Sequence, residues 1–212
     1  MNITIGNPWA VSEKGGRLNN EDSIFPLPET ANSNQNLFLV CDGVGGAEKG
    51  EIASSLACES FQTFFSTFRE GEPNADFINK AIRYTEARFD DYVAIHPEAK
   101  GMATTLTMTF VGTTGITLAH VGDSRIYHFR KGEILFQTED HSLVNSLVKL
   151  GKITHEEVAH HPQRNVIKGR TVRQRLMSYF WMISRLVIFC SCVRMVYSNV
   201  LTMMSFRIYS SI

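Results

Sequence analysis

A run of apolar residues that ends in an acid and then in glycines leaves a chain few options. Residues 37–46 read LFLVCDGVGG. Leu37 to Cys41 have the pattern of a buried strand. Asp42 follows at once, with Gly43, Gly45 and Gly46 among the next four positions. Glycines let backbone approach a ligand closely, and a carboxylate at the mouth of a buried strand suits a metal or phosphate site. The same letters also fit a strand that merely ends in an Asp-Gly turn. Three further stretches bear on the choice.

The length of 212 residues allows one domain with a sizeable core, or one domain plus a tail. Lys and Arg together number 21, as do Asp and Glu, so no global basic footprint argues for nucleic acid. Cys41, Cys58, Cys190 and Cys192 lack zinc-type pairing, which fits a reducing compartment. The opening MNITIGNPWAVSEKGG lacks the basic-then-apolar form of a signal peptide. The expected location is the cytoplasm.

Residues Ile3 to Val11 read as an opening strand. GGRLNNEDSI follows, where Arg17 precedes Asp22 by five positions and Glu21 adjoins it. An Arg fork suits a phosphate and acids suit a hard cation, although the stretch taken alone reads more simply as a solvated polar loop. After the glycines, Ala53, Ala57, Phe61, Phe64, Phe65 and Phe68 fall at helical spacing and predict an amphipathic helix with its phenylalanines in the core. Ile78, Ala81, Ile82, Thr85, Phe89 and Tyr92 predict a second helix, ending before Pro97. GMATTLTMTFVG alternates with period two and predicts a strand. Strands over Ile116–Val121, Arg125–Arg130 and Glu133–Thr138 are expected to form a meander. Its first turn, Gly122-Asp123, sets another carboxylate at a strand end. Asp140 reads as the N-cap of a following helix. His141 is read as a capping or supporting residue. His155, His160 and His161 make a poor zinc set.

In order, GGRLNNEDS, LFLVCDGVGG, GMATTLTM and HVGDSRIYHFRKGEILFQTEDHS resemble the metal-dependent serine/threonine protein phosphatases of type 2C, in their short bacterial form. The resemblance implies an α+β fold, with two antiparallel β-sheets in a sandwich flanked by α-helices and the metals at one end. It implies that Arg17 grips the substrate phosphate, that Glu21 and Asp22 orient metal-bound waters, and that Asp42 bridges two Mg²⁺ or Mn²⁺ ions. The Gly43 carbonyl would coordinate one ion, and Asp123 would ligate a weaker third. The expected reaction is phosphomonoester hydrolysis on phosphoserine and phosphothreonine proteins by a metal-activated water, with Arg17 and Asp42 as catalytic residues. A cognate serine/threonine kinase is the implied counterpart. Val44 stands where many relatives carry a candidate general-acid His, which leaves leaving-group protonation to water.

The far end departs from the pattern. The family uses two further metal-ligand aspartates, yet no Asp follows Asp140 and no Glu follows Glu157. Beyond Gly169 there is no Gly or Lys, while Arg, Met and Ser accumulate. We therefore expect residues 1–169 to be an incomplete phosphatase-like domain and residues 170–212 an atypical tail. Joining the third base of each codon from Leu186 to Val196 to the next two bases permits Gly-Asp-Ile-Leu-Leu-Leu-Cys-Ser-Asp-Gly, the segment the family has there. That predicts a frameshifted tail, a sandwich incomplete at the C-terminus, at least one defective cation site and impaired catalysis. A non-catalytic phosphoprotein-binding pseudophosphatase and a nonfunctional product are the alternatives. Leu186 to Val193 is too short to span a membrane.

Overall fold

The structure, a computed structural model, describes residues 2–14, 19–44, 49–68, 72–113, 115–130, 133–158, 160–162, 177–181, 201–205 and 208–211. In chain order the strands are β1 (Asn2–Ile5), β2 (Trp9–Glu13), β3 (Asp22–Phe25), β4 (Leu37–Val44), β5 (Ala103–Thr104), β6 (Leu106–Val111), β7 (Ile116–Val121), β8 (Tyr127–Arg130), β9 (Glu133–Gln137), β10 (Met177–Trp181), β11 (Leu201–Ser205) and β12 (Ile208–Ser211). The helices are α1 (Gly50–Thr67), α2 (Ala75–Ile95), α3 (Leu143–Lys149) and α4 (His155–Val158).

The central sheet is antiparallel, in the order β10-β7-β6-β4-β3, with β5 on β4. Alternation along β4 divides the core. Leu37, Leu39 and Cys41 face one side, where they meet Leu106, Met108, Ala119 and Val121 and the helical residues Ala57, Phe61, Phe64, Phe77, Ile78 and Ala81. Phe38 and Val40 face the other side with Ile24, Val111, Ile116, Leu118 and Ile126. Ile5 of β1, Ala10 of β2 and Phe136 of β9 pack onto that second cluster. One face of the sheet therefore carries helices and the other a second β-layer. That layer consists of the pairs β1-β12, β2-β11 and β8-β9. The α+β sandwich expected from the sequence is observed, and β10, β11 and β12 of the expected atypical tail pair into its sheets rather than leaving their partners as bare edges.

The phenylalanines of α1 are core residues. Phe61 is fully buried, and Phe64 and Phe65 each meet the Phe77 ring edge-on at 5.1 Å. Each such burial is worth roughly 1.5–3 kcal/mol. Asn74 caps α2 by accepting from the Phe77 N–H at 2.9 Å, and Pro97 follows its end.

Four expectations need correction. Phe68 is not a core residue of the first helix: it stands at the C-cap of α1 and is 48% exposed. The opening strand is two strands, because Gly6-Asn7-Pro8 interrupts it and proline has no N–H for a ladder. The meander does not run on in one sheet: β7 pairs with β6 and β10, while β8 pairs with β9. Between them, residues 122–124 carry the chain out of the central sheet, and Ile126 enters the opposite core. Asp140 is not the cap of α3. Ser142 is, its hydroxyl accepting from the Asn145 N–H at 3.2 Å. Most of residues 170–212, including Leu186 to Val196, lie outside the described residues. No helix among the described residues is long and apolar enough to cross a membrane.

Candidate metal centre at the end of the sandwich

Strand register places the acids. Asp22 of β3 lies directly opposite Asp42 of β4. Opposite residues of an antiparallel pair share a face. Here it is the face of Ile24, Phe38 and Val40, so both carboxylates stand between the two β-layers, at the end of β4. Asp42 is buried, 7% exposed, and Asp22 and Glu21 are half-buried.

Backbone closes in around the next residue. The Gly43 N–H donates to the Glu21 carbonyl at 2.9 Å. A Cβ on Gly43 would lie 2.1 Å from the Gly50 carbonyl oxygen and 2.7 Å from that of Glu21. Only glycine fits, which explains the Asp-Gly pair: the first turn of α1 and the start of β3 both back onto Gly43. Val44 is 40% exposed at the rim.

The second acid-bearing turn follows β7. Gly122 has φ +104°, a left-handed conformation that favours glycine. Half-buried Asp123 comes next, then buried Ser124. Arg125 grips Asp140 with both arms of a fork, Nε to Oδ1 at 2.5 Å and Nη2 to Oδ2 at 2.8 Å. That hydrogen-bonded carboxylate pushes the guanidinium pKa upward and keeps it charged. His141 exchanges two bonds with Gly122: its N–H donates to the Gly122 carbonyl at 2.9 Å, and its Nδ1 accepts from the Gly122 N–H at 3.4 Å. Burial, helped by His120 and Lys149, pushes the His141 pKa down to about 4 against the pull of Asp140. His120, fully buried, is also held low by burial, and its ring lies 4.4 Å from that of His141.

Of the residues the sequence singles out, Asp22, Asp42 and Gly43 come together at one end of the sheet, with the Glu21 backbone. Asp123 lies on the turn beside them. Arg17, Gly45 and Gly46 lie outside the described residues. Carboxylates and backbone carbonyls are hard oxygen donors, the set that suits Mg²⁺ or Mn²⁺ rather than zinc. Among the described residues no three His, Cys, Asp or Glu form a ready metal cluster. The donor set therefore fits such a cation in kind and is short in number. Sequence reasoning missed Thr105. Its hydroxyl accepts from the Asp42 N–H at 3.0 Å and lies 2.8 Å from the Ser124 hydroxyl. In sequence it reads as one more β-branched strand former.

Comparison with known proteins gives a consistent picture. The sequence profile of protein phosphatase 2C matches residues 13–178. Serine/threonine protein phosphatase PstP of Mycobacterium tuberculosis is 36% identical over 154 residues, which are 71% of this chain and 28% of that protein. A putative 2C-type protein phosphatase of Streptococcus pyogenes is 36% identical over 153 residues, 71% of this chain and 61% of that one. The chain thus spans less than two thirds of the length of these relatives. The crystal structure of Mycobacterium tuberculosis PstP/Ppp superposes with a TM-score of 0.69 at 32% identity, covering 84% of this chain and 74% of that one. A PstP catalytic domain in complex with two manganese ions has the same fold, with a TM-score of 0.73 at 24% identity over 99% of this chain and 100% of that one. With the four motifs in order and the sandwich around them, the chain belongs to the protein phosphatase 2C family.

Proposed function

We propose that this chain acts on phosphoserine and phosphothreonine in proteins as a cation-dependent phosphatase. The observation that carries the reading is the facing pair Asp22 and Asp42 between the layers of a type 2C sandwich. Asp42 and the Gly43 carbonyl would hold Mg²⁺ or Mn²⁺, Glu21 and Asp22 would orient its waters, and Asp123 would hold a further ion. The manganese ions of the PstP neighbour support that choice. A divalent cation there supplies a water deprotonated at neutral pH. Arg17 would take the phosphate oxygens in a bidentate grip and neutralise charge as it develops. Val44 is 40% exposed, so solvent would serve as the proton source for the departing alkoxide. The opposing partner would be a serine/threonine kinase, and the setting the cytoplasm.

A second reading is favoured by one observation: no aspartate follows Asp140. The two downstream ligands the family uses have no counterpart, and residues 170–212 read as an out-of-frame tail. Turnover would then be weak, and the domain would bind phosphoprotein through Arg17 and the Asp42 site. Hydrolysis of p-nitrophenyl phosphate with Mn²⁺ tests both. Release that EDTA and Asp42→Ala abolish supports the phosphatase. Equal rates for chain and variant remove the enzymatic reading, and a phosphopeptide that binds without release leaves the binding module.

A further inference from the structure

The common register of the β4-β6 and β4-β5 ladders sets Thr105 opposite Asp42, and the β6-β7 ladder, continued one residue past Leu106–Val121, sets it opposite Gly122. At an ordinary hydrogen-bonded pair of an antiparallel ladder the two backbones exchange both bonds. Here only half of the exchange is backbone. The Thr105 N–H donates to the Asp42 carbonyl at 2.9 Å, but the Asp42 N–H donates to Thr105 Oγ1 at 3.0 Å. The Thr105 carbonyl instead accepts from the Thr104 hydroxyl at 3.0 Å. The same Oγ1 lies 2.8 Å from Ser124 Oγ, in the residue after Asp123. The Thr105 methyl packs against Gly122, where a Cβ would sit 2.6 Å from it. Thr105 is 2% exposed and Ser124 4%. One buried side chain thus touches both turns that carry acids, and the far flank of the second turn is fixed by the Arg125–Asp140 fork.

We infer that Thr105 is a positioning residue for the cation site: its hydroxyl sets the backbone of Asp42 and, through Ser124, locks the Asp123 turn to it. The inference rests on the reading that Asp42 holds a divalent cation. Hydrogen bonds behind a ligand fix its orientation, and their loss typically weakens metal affinity by about 10–100-fold. Thr105→Val keeps the shape but removes the acceptor of the Asp42 N–H and the partner of Ser124. Thr105→Ser keeps both.

Mn²⁺ titration calorimetry on the full chain, with thermal unfolding in EDTA beside it, tests this. Thr85→Val serves as control, because it also deletes a buried hydroxyl, one that donates to the Ala81 carbonyl within α2. Thr105→Val is expected to bind Mn²⁺ about 10–100-fold more weakly, Thr105→Ser within a few-fold of the parent, and Ser124→Ala between them. Thr85→Val is expected to bind as the parent does, whatever its unfolding midpoint. Parent-like affinity in Thr105→Val overturns the inference and leaves the cation reading intact. If Thr105→Val does not fold, parent-like affinity in Ser124→Ala overturns it instead. A parent chain that binds no Mn²⁺ removes the cation reading and the inference together.

Discussion

Gly43 and Gly122 show how little room the two turns have. Alanine at 43 would drive its Cβ into backbone on two sides, from Glu21 and Gly50, neither of which can swing aside. We predict that Gly43→Ala loses Mn²⁺ binding and unfolds at a lower temperature, read by calorimetry and circular dichroism. At Gly122 the obstacle is the Thr105 methyl together with a positive φ, so Gly122→Ala is expected to cost about 1–3 kcal/mol of stability. His141 gives a pH dependence. Its folded pKa of about 4 lies below the ordinary 6.5, so the unfolded chain takes up the proton first. Its contribution is complete above pH 6.5 and is lost as pH falls towards 4. Thermal unfolding in EDTA should show His141→Gln losing less stability than the parent between pH 7 and pH 4.5.

Among the elements, α1 and α3 do different work. α1 covers the central sheet with Ala57, Phe61 and Phe64, and its first residue abuts Gly43. Phe61→Ala should therefore cost about 3–5 kcal/mol in denaturant unfolding, because a fully buried ring leaves a cavity. α3 is short and begins at a serine cap, and Asn145 in its first turn donates to the Asp140 carbonyl at 3.0 Å. Its ties to the Asp123 turn are the Arg125–Asp140 fork, partly exposed on both sides, and the two bonds between His141 and Gly122. Asp140 was legible as a residue with a local job, but the sequence suggested only the cap, because the fork depends on where the fold brings Arg125. Ser142 takes the cap because it stands immediately before the first helical residue, which frees Asp140 to face Arg125.

Across the whole molecule, the buried run of β4 and the period-two pattern of β6, with the two helical stripes, were enough to derive a sheet with helices on it. The second β-layer was not derivable that way, because β1 and β2 are short and pair with β12 and β11 at the far end of the chain, and nothing local tells the β8-β9 hairpin to leave the central sheet. Asp42 stood out only in company: an acid that ends a buried run also fits a plain Asp-Gly turn, and the three further motifs decided the choice. Thr105 stayed hidden because its role depends on register across three strands, which no local pattern encodes. The central claim is that Asp42 stands at a divalent-cation site between the layers. Anomalous diffraction from crystals soaked in Mn²⁺ tests it most directly. The account predicts a manganese peak within about 2.2 Å of an Asp42 carboxylate oxygen and the Gly43 carbonyl oxygen. No peak there at saturating Mn²⁺, or peaks only on unrelated surface acids, would contradict it.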